Sequence, residues 1–373
     1  MTDASDGPLA PLSPFDAVLL LSFGGPEKPE DVLPFLRRVT AGKGIPDERL
    51  AEVGEHYYRF GGRSPINDQN RALRAALSAE LERRDIDIPV LWGNRNFEPF
   101  TADALRAAAE RGMRRVLTIV TSAYSSYSSC RQYREDLAAA VDEVSRDGIA
   151  IQVDKIRPYA HHPSFARANT RLVTEAVRRH RDAGAGLRLL FVTHSIPTAM
   201  DETSGPGDSG GSLYSAQHAE LAAAIAEEAG ATLGMELNGE LVFCSRSGPP
   251  SQPWLGPDVN DRLEELAAEG ATTVVLAPIG FVSDHMEVVY DLDTEAAETA
   301  EKLGLRLVRV PTVGTDPEFV SGLVDLLLER AAEVRGVTVP HAVWPGSDVR
   351  PARCEPGCCP NLRQARPALC GSD

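Results

Sequence analysis

Two short segments carry side chains suited to binding a metal ion and moving protons. The first holds His194, which lies just past the apolar run Leu189–Val192. Pro197 prevents the following residues from simply continuing a strand, so the imidazole is expected at the rim of a sheet. An imidazole there can bind a metal or exchange a proton, although an isolated histidine is more often satisfied by backbone groups.

The second segment holds three carboxylates, Glu287, Asp291 and Glu295, spaced four residues apart after the turn at Gly280. On a helix they line one face and repel one another, because no Lys or Arg stands four residues from them. A divalent cation would relieve the repulsion, since hard metals prefer oxygen ligands. A solvated acidic face explains the spacing equally well.

The elements that must position these groups follow an α/β pattern. Short apolar runs ending in Gly, Pro or Ser alternate with Ala-, Glu- and Arg-rich segments of helical period. The predicted strands are Ala17–Ser22, Val90–Trp92, Arg115–Val120, Ile151–Lys155, Leu187–Thr193, Glu240–Cys244, Thr273–Ala277 and Arg306–Val310, with a helix over Ser164–His180. Eight strands and a repeated layout predict two similar doubly wound, Rossmann-like domains with parallel sheets.

Polar residues are concentrated just past these strands, where open α/β sheets bind ligands. The turns read SFGGP (22–26), WGNRN (92–96), TSAYSSYSSC (121–130), THSIP (193–197), CSRSGPP (244–250) and APIGFVSDHMEVVYD (277–291). His194 and Glu287 therefore lie on strand-end turns of two successive segments. Residues 201–212 are rich in Gly, Ser and Asp and are predicted to form a flexible loop or lid.

Three long motifs resemble ferrochelatase signatures: HSIPTAMDETSGPGD from His194, SRSGPPSQPWLGPD from Ser245 and GFVSDHMEVVYDLDTE from Gly280. FGGRSPIN from Phe60 and WGNRN from Trp92 agree, and the resemblance extends from about residue 15 to about residue 339. It implies the two-domain chelatase fold, a porphyrin held in a cleft between the halves, Fe²⁺ as substrate and no organic cofactor.

The resemblance also implies roles for the acidic and histidine residues. His194 matches the active-site histidine and Glu287 its partner acid, while Asp291 and Glu295 match an acidic row that leads Fe²⁺ inward from the surface. Metallation removes two pyrrole protons while Fe²⁺ sheds its waters. Either member of a His and carboxylate pair can accept protons or ligate the metal.

The resemblance also suggests residues that line the porphyrin pocket. Ser64 and Tyr124 match positions that contact the porphyrin in related enzymes. Further candidates for the pocket and for the substrate propionates are Tyr127, Lys43, Arg59 and Arg63. The chain departs from some relatives at Phe23, where they have a tyrosine that approaches the metal from the opposite face.

Cysteines form a second candidate metal site. Cys354, Cys358 and Cys359 stand in a Pro- and Gly-rich extension, and Cys130 closes an internal turn. Four thiolates suggest zinc or an iron-sulfur cluster, and spacing alone modestly favours zinc. The resemblance instead implies a [2Fe-2S] cluster held by these four residues. As an alternative, Cys370 replaces Cys358 or Cys359 as a ligand. Cys244, at the end of an apolar strand, is predicted to be a buried core thiol.

Two porphyrin substrates are compatible with the resemblance, coproporphyrin III and protoporphyrin IX. The stretch GGPEKPEDVLPFLRRVTAGKG after the first strand is polar and lacks the apolar lip of relatives that handle protoporphyrin, which favours coproporphyrin III. Other interpretations are a related cobalt or nickel chelatase, disfavoured by the motif at His194, and a non-catalytic iron-sulfur or haem-binding regulator, disfavoured by the intact His194 and Glu287.

Length and composition set the remaining bounds. The 373 residues predict a disordered tail (1–14), two α/β domains (15–160 and 161–339) and a Cys-rich extension (340–373). A net charge of -16 argues against nucleic-acid binding. No secretory signal and no apolar stretch of about 20 residues is evident, so a cytoplasmic enzyme without integral membrane association is expected. The next enzyme of the haem pathway is a possible partner.

Overall fold

The computed structural model describes residues 9–42, 44–207, 210–247 and 251–369. The strands are β1 (Ala17–Ser22), β2 (Val90–Asn94), β3 (Arg115–Val120), β4 (Gln152–Lys155), β5 (Leu187–His194), β6 (Gly239–Cys244), β7 (Thr273–Ala277) and β8 (Arg306–Arg309). The α-helices are α1 (Val32–Val39), α2 (Asp47–Tyr58), α3 (Ile66–Arg83), α4 (Thr101–Glu110), α5 (Gln132–Arg146), α6 (Pro163–Arg179), α7 (Thr198–Glu202), α8 (Leu213–Leu233), α9 (Val259–Ala268), α10 (Ala297–Lys302) and α11 (Pro317–Val334). Two segments, Tyr127–Arg131 and Val288–Ala296, are π-helices. Among the helices in these ranges, none is long and apolar enough to cross a membrane.

The two sheets have the same layout. The first has the strand order β2-β1-β3-β4 and the second the order β6-β5-β7-β8, and all strand pairs are parallel. In each sheet the chain first moves to one side of the central strand and then crosses to the other side, which is the doubly wound arrangement. The predicted α/β architecture with two similar parallel sheets is therefore confirmed.

The sequence of the central strands explains why they form these sheets. β1 reads AVLLLS and every one of its side chains is buried, as are those of β7, TVVLA. Because helices cover both faces of a parallel sheet, its inner strands are apolar throughout. The predicted strand ends agree within two residues. The largest difference is at β2, which continues through Asn94 because Asn94 still pairs with Ser22 of β1.

Each sheet has a switch point at which successive crossovers leave in opposite directions. These points lie between β1 and β3 and between β5 and β7. Ligands of open α/β sheets bind outside the carboxyl ends of the strands at such points. His194 ends β5, and Glu287 follows β7, so the two residues flank the second switch point.

One continuous hydrophobic core joins the two halves and includes Leu20, Phe165 and Leu323. Helix α11 packs against both α3 and α6. Arg84, which follows α3, donates from Nη2 to the Ser321 carbonyl oxygen at 3.0 Å. Helix α11, which lies within the second predicted domain (161–339), therefore also covers the first half.

Helices α1 and α2 form a small layer beside the end of β1. Val32, Phe35, Leu36 and Leu50 bury one another there, and Phe23 packs against them. This apolar cluster attaches the two helices, here called the lid (residues 32–58), to the first sheet. The few apolar residues of the otherwise polar stretch after β1 are thus turned inward.

Residues 340–369 form an extension without helices or strands that contacts both halves. The Leu369 amide donates to the Arg134 carbonyl of the first half at 3.0 Å, and the Cys359 amide donates to the Gly205 carbonyl of the second half at 3.0 Å. The main-chain groups of the extension therefore find partners in the two domains instead of in secondary structure of their own.

Two segments predicted to be disordered or flexible are packed where the structure describes them. Leu12, in the predicted tail 1–14, is 2% exposed. In the predicted loop 201–212, Asp201 is 4% exposed and its carboxylate accepts from the Ser215 amide at 3.0 Å. Buried contacts that local composition does not reveal therefore hold part of each segment.

Candidate active site

His194 stands where β5 leaves its sheet. The Ser195 amide still pairs with the Cys244 carbonyl at 2.8 Å, and after Pro197 the chain enters α7. The Nδ1 atom of His194 lies against the Ser195 carbonyl. Because a carbonyl only accepts hydrogen bonds, Nδ1 carries a proton. Nε2 then faces the Oε1 atom of Glu287, 3.4 Å away.

The two side chains form an ion pair at neutral pH. Burial alone lowers the pKa of His194, but the Glu287 carboxylate and the Ser195 carbonyl raise it more, to about 9. The side chains of His194 and Glu287 are 31% and 47% exposed, so both are open to the cleft. His194 therefore carries a proton beside Glu287. A metal cation that bound next to Glu287 would displace this proton.

A second histidine, His285, lies on the other side of Glu287. The Glu287 amide donates to Nδ1 of His285 at 3.2 Å, and the Oε2 atom of Glu287 is 3.7 Å from the same nitrogen. Burial lowers the pKa of His285, so this ring is neutral and carries its proton on Nε2. Glu287 is thus held between two imidazoles, one charged and one neutral.

The carboxylates of Glu287, Asp291 and Glu295 form a continuous row along one helix. The helix is a π-helix from Val288, not an ordinary α-helix, and such helices recur at functional sites. Burial and the neighbouring charges of Glu287 and Glu295 raise the pKa of Asp291 to about 7, although the Ser245 hydroxyl donates to it. Burial, together with Asp258, raises the pKa of Glu295. The row therefore carries repulsion that a cation would relieve.

An aromatic wall of the lid faces this row. Burial raises the pKa of Tyr57, and the nearby charges of Glu287 and Asp291 also raise it. Its neighbour His56 stacks on Tyr290 with ring centres 3.7 Å apart. The lid and the acidic helix thus enclose a cleft between the two halves of the protein, with His194 at its inner end.

A sequence model of the Ferrochelatase family matches residues 15–331 of the chain. The chain belongs to the ferrochelatase family. It is accordingly a metal chelatase, a lyase. The coproporphyrin III ferrochelatase of Leifsonia xyli subsp. xyli is 52% identical over 96% of this chain and 94% of its own. That of Streptomyces griseus subsp. griseus is 49% identical over 97% of each chain. Among solved structures, SirB from Bacillus subtilis is 13% identical, covers 86% of this chain and 97% of its own, and has a TM-score of 0.46.

Three of the porphyrin contacts predicted from the ferrochelatase motifs lie near the lid. Ser64 is 3% exposed, and its amide donates to the Pro26 carbonyl at 2.9 Å. Arg63 is exposed and forms an ion pair with Asp68. Arg59 is exposed at the end of α2, and its charge acts on Glu295 at the outer end of the acidic row. Lys43 lies outside the described residues.

Two predicted contacts, Tyr124 and Tyr127, hydrogen-bond to other parts of the protein. Tyr124 is 2% exposed and its hydroxyl donates to the Ile279 carbonyl at 2.7 Å, so its ring is not accessible to a porphyrin in this structure. The Tyr127 hydroxyl donates to Glu135 at 3.2 Å and accepts from Asn361 of the extension at 2.8 Å. The strand-end turn that carries both residues directs them into the core and toward the extension.

The structure brings the four predicted cysteine ligands together. Cys354 is hydrogen-bonded to both Cys130 and Cys358, and the sulfur atoms of Cys358 and Cys359 are 3.9 Å apart. Cys359 has a φ of 51°, in the left-handed region, so the side chains of these adjacent residues need not point to opposite sides. Cys370 lies outside the described residues, and Cys244 is 1% exposed at the end of β6, as expected of a core thiol.

The surroundings of two of the four thiols favour the thiolate form that metals bind. The Cys354 hydrogen bond, together with the positive charges of Arg134 and Lys155, lowers the pKa of Cys130 although burial opposes it. Hydrogen bonds from Cys354 and Cys359 lower the pKa of Cys358 to about 3, whereas the hydrogen bond to Cys358 and burial raise the pKa of Cys359. Four clustered sulfur donors fit a [2Fe-2S] cluster as well as zinc.

Sequence reasoning missed several groups that shape the ferrochelatase site. His285 and Ser245 stand inside the quoted motifs, so their proximity to Glu287 and Asp291 had a local signal. Tyr57 and His56 had none, because they come from a lid helix more than 200 residues from the acidic helix in sequence. Only the packing of the two halves reveals that they line the cleft.

Divalent metal binding to the porphyrin-free protein is expected to tighten as pH rises and to level off above about pH 9. His194, with a pKa of about 9, and Asp291, with a pKa of about 7, must lose protons when metal binds, and this competition weakens binding below each pKa. Titration with Co²⁺ at a series of pH values measures the slope. The matched His194→Ala variant should lose the part of the slope between about pH 7 and 9, and a pH-independent affinity of the wild type would contradict the assignment.

Proposed function

We propose that this ferrochelatase inserts Fe²⁺ into coproporphyrin III, with His194 and Glu287 as the catalytic pair. The observation that carries the choice of substrate is the similarity to relatives named coproporphyrin III ferrochelatase, at 52% and 49% identity over nearly the whole length of both chains. Protoporphyrin IX is the alternative substrate.

The character of the lid supports a substrate with four propionates. Its apolar residues are mostly buried in the cluster beside β1. Arg59 and Arg63 at and just after the end of α2 are exposed, and the charge of Arg59 acts on Glu295 of the acidic row. A rim of this composition offers cationic donors to carboxylates and limited apolar surface to a hydrophobic macrocycle.

In this proposal Fe²⁺ moves along the acidic row from Glu295 through Asp291 to Glu287. Each step offers a carboxylate oxygen, and the cation relieves repulsion that raises the pKa of Asp291 and Glu295. Because Asp291 is partly protonated near its pKa of about 7, arrival of the cation also expels a proton there.

His194 is the proton acceptor at the porphyrin. Each insertion exchanges one dication for the two pyrrole N–H protons, so charge balances and two protons must leave. A cation beside Glu287 lowers the pKa of His194, and Nε2 then gives up its proton toward the acidic row. The freed Nε2 lone pair can accept the first pyrrole proton, pass it to the acidic row and solvent, and then accept the second.

The substrate proposal is tested by comparing kcat/KM for coproporphyrin III and protoporphyrin IX under anaerobic conditions with Fe²⁺. Exposed ion pairs are worth up to about 1 kcal/mol each, so two additional propionates are expected to favour coproporphyrin III by up to about thirtyfold. Equal or better use of protoporphyrin IX would refute this substrate assignment without affecting the assignment of His194 and Glu287.

The four thiols of Cys130, Cys354, Cys358 and Cys359 are proposed to hold a [2Fe-2S] cluster. The support is the convergence of the four side chains and the lowered pKa of Cys130 and Cys358. Such a cluster supplies one-electron redox chemistry and cross-links the extension to the first domain. No step of iron insertion requires it, since protons and metal are handled at His194 and the acidic row.

Anaerobically purified protein is expected to be coloured and to contain iron and acid-labile sulfide in equal amounts. Cys358→Ser should remove the visible absorption, whereas the matched core change Cys244→Ser should leave it intact, because Cys244 lies at the end of β6 in the other half. A colourless protein with bound zinc would show that the site is a zinc site.

A cytoplasmic location and a transient contact with the next enzyme of the haem pathway complete the proposal. Cysteines that serve as metal or cluster ligands, as proposed here for four of them, are typical of a reducing compartment. A pull-down of candidate haem-pathway enzymes with the iron-loaded product complex tests the contact.

A further inference from the structure

A buried group of polar side chains lies directly behind His194. Thr193 precedes it on β5, and Tyr214 and His218 lie one turn apart on α8. Their exposed fractions are 0%, 3% and 0%, so none of them can contact a substrate in the cleft. Buried polar groups retained at such a position need hydrogen-bond partners, and these three supply them to one another and to the backbone of His194.

The protons of this group can be assigned. Nδ1 of His218 is 2.7 Å from the Tyr214 carbonyl, which only accepts, so Nδ1 carries the proton. Burial lowers the pKa of His218 to about 3, so Nε2 carries no proton. It therefore accepts a hydrogen bond from the Thr193 hydroxyl at 2.8 Å. The Tyr214 hydroxyl, 2.9 Å from the Thr193 oxygen, is then free to donate to the His194 carbonyl at 2.8 Å.

The same group also contacts the segment that leads to Glu287. The Tyr124 ring stacks on His218 with centres 3.5 Å apart, and its hydroxyl donates to the Ile279 carbonyl at 2.7 Å. Ile279 precedes Gly280, the residue packed against Thr193. One cluster therefore holds both the strand end that carries His194 and the turn from which the helix of Glu287 starts.

We propose that Tyr214 and His218 are positioning residues for iron insertion, acting through Thr193 and the His194 carbonyl to set the His194 imidazole against Glu287. The proposal rests on the catalytic role proposed above for His194. Neither side chain touches substrate. Their effect is on the geometry of the pair, so losing them should slow the chemical step without weakening porphyrin binding.

The test compares Tyr214→Phe with Tyr159→Phe. Tyr159 is equally buried, at 1% exposed, and its hydroxyl donates to the Val120 carbonyl at 2.7 Å, in the first half and without contact to His194. Both changes delete one buried hydroxyl that donates to a carbonyl, so both should shift the unfolding midpoint by a similar amount. Only Tyr214→Phe should lower kcat, by at least about tenfold, with the KM for porphyrin unchanged within about twofold.

His218 supplies an independent arm that keeps the test informative if Tyr214→Phe folds poorly. His218→Gln retains an acceptor for the Thr193 hydroxyl, whereas His218→Leu does not, so the Gln variant should recover turnover relative to Leu. All assays use anaerobic Fe²⁺ and whichever of the two porphyrins the wild type uses better. Equal kcat for Tyr214→Phe and Tyr159→Phe, or for the Gln and Leu variants, would overturn the positioning role while His194→Ala remained inactive. Full activity of His194→Ala would instead remove the proposed function on which it rests.

Discussion

Glu287→Gln is expected to lower the rate of iron insertion by about a hundredfold or more, and His194→Ala by a similar factor. Glutamine keeps the shape of Glu287 but carries no negative charge, so it neither attracts the cation nor holds a proton on His194 at 3.4 Å. Alanine at 194 removes the proton acceptor itself. Anaerobic single-turnover assays that follow the porphyrin absorption measure the insertion step directly.

Glu301→Gln is the matched control for Glu287→Gln. Glu301 is exposed on α10, beyond the acidic row, so the control makes the same change of charge near the same helix without touching the cleft. Its activity should stay within about twofold of wild type, because an exposed charge at that distance is largely screened. Retention of more than about a tenth of wild-type turnover by Glu287→Gln would show that another group handles the cation.

The fold was predictable from sequence because its strands are locally encoded. β1, with all side chains buried, has the predicted bounds Ala17–Ser22, and the polar turns after the strands mark the edge where the cleft lies. The strand ends that differ from the prediction, such as the end of β2 at Asn94, depend on pairing with a neighbouring strand. Pairing is a property of the assembled sheet and has no signal within the strand itself.

The sequence placed the acidic row on a helix without specifying its type, and the structure shows a π-helix from Val288. The carboxylates at 287, 291 and 295 and the buried residues Val288, Leu292 and Ala296 are both spaced strictly by four. Four residues slightly exceed one turn of an α-helix, which contains about 3.6 residues, and fall slightly short of one turn of the wider π-helix. The spacing alone therefore did not distinguish the two kinds of helix.

The outcome for Tyr124 shows where motif reasoning stops. Its position after a strand end suggested the cleft, but the ring turns inward and stacks on His218 of the second half. The direction of a side chain in a turn depends on what the rest of the fold packs against it. Here that partner is 94 residues away in sequence, so neither the motif nor its spacing distinguished a cleft residue from a supporting one.

Gly280→Ala is expected to disrupt the site from a position that touches neither substrate. An added Cβ would lie 2.2 Å from the Thr193 Oγ1 atom and 2.7 Å from the Thr193 Cα atom, closer than atoms can approach. The Gly280 amide also donates to the Val192 carbonyl at 3.0 Å, which ties it to β5. The strand end that carries His194 must therefore move, at a cost of about 1 to 3 kcal/mol or more in unfolding free energy.

The displacement caused by Gly280→Ala should also separate His194 from Glu287, because the two residues follow the two backbones that Gly280 brings into contact. We expect turnover to fall by more than about tenfold in the protein that remains folded, since small misplacements of reacting groups are costly. Thermal unfolding and single-turnover insertion measure the two effects separately. Gly207→Ala is the control, because an added Cβ there meets no atom within 4 Å. If Gly280→Ala behaved like that control in both measurements, the close contact between Gly280 and Thr193 would not determine the spacing of the catalytic pair.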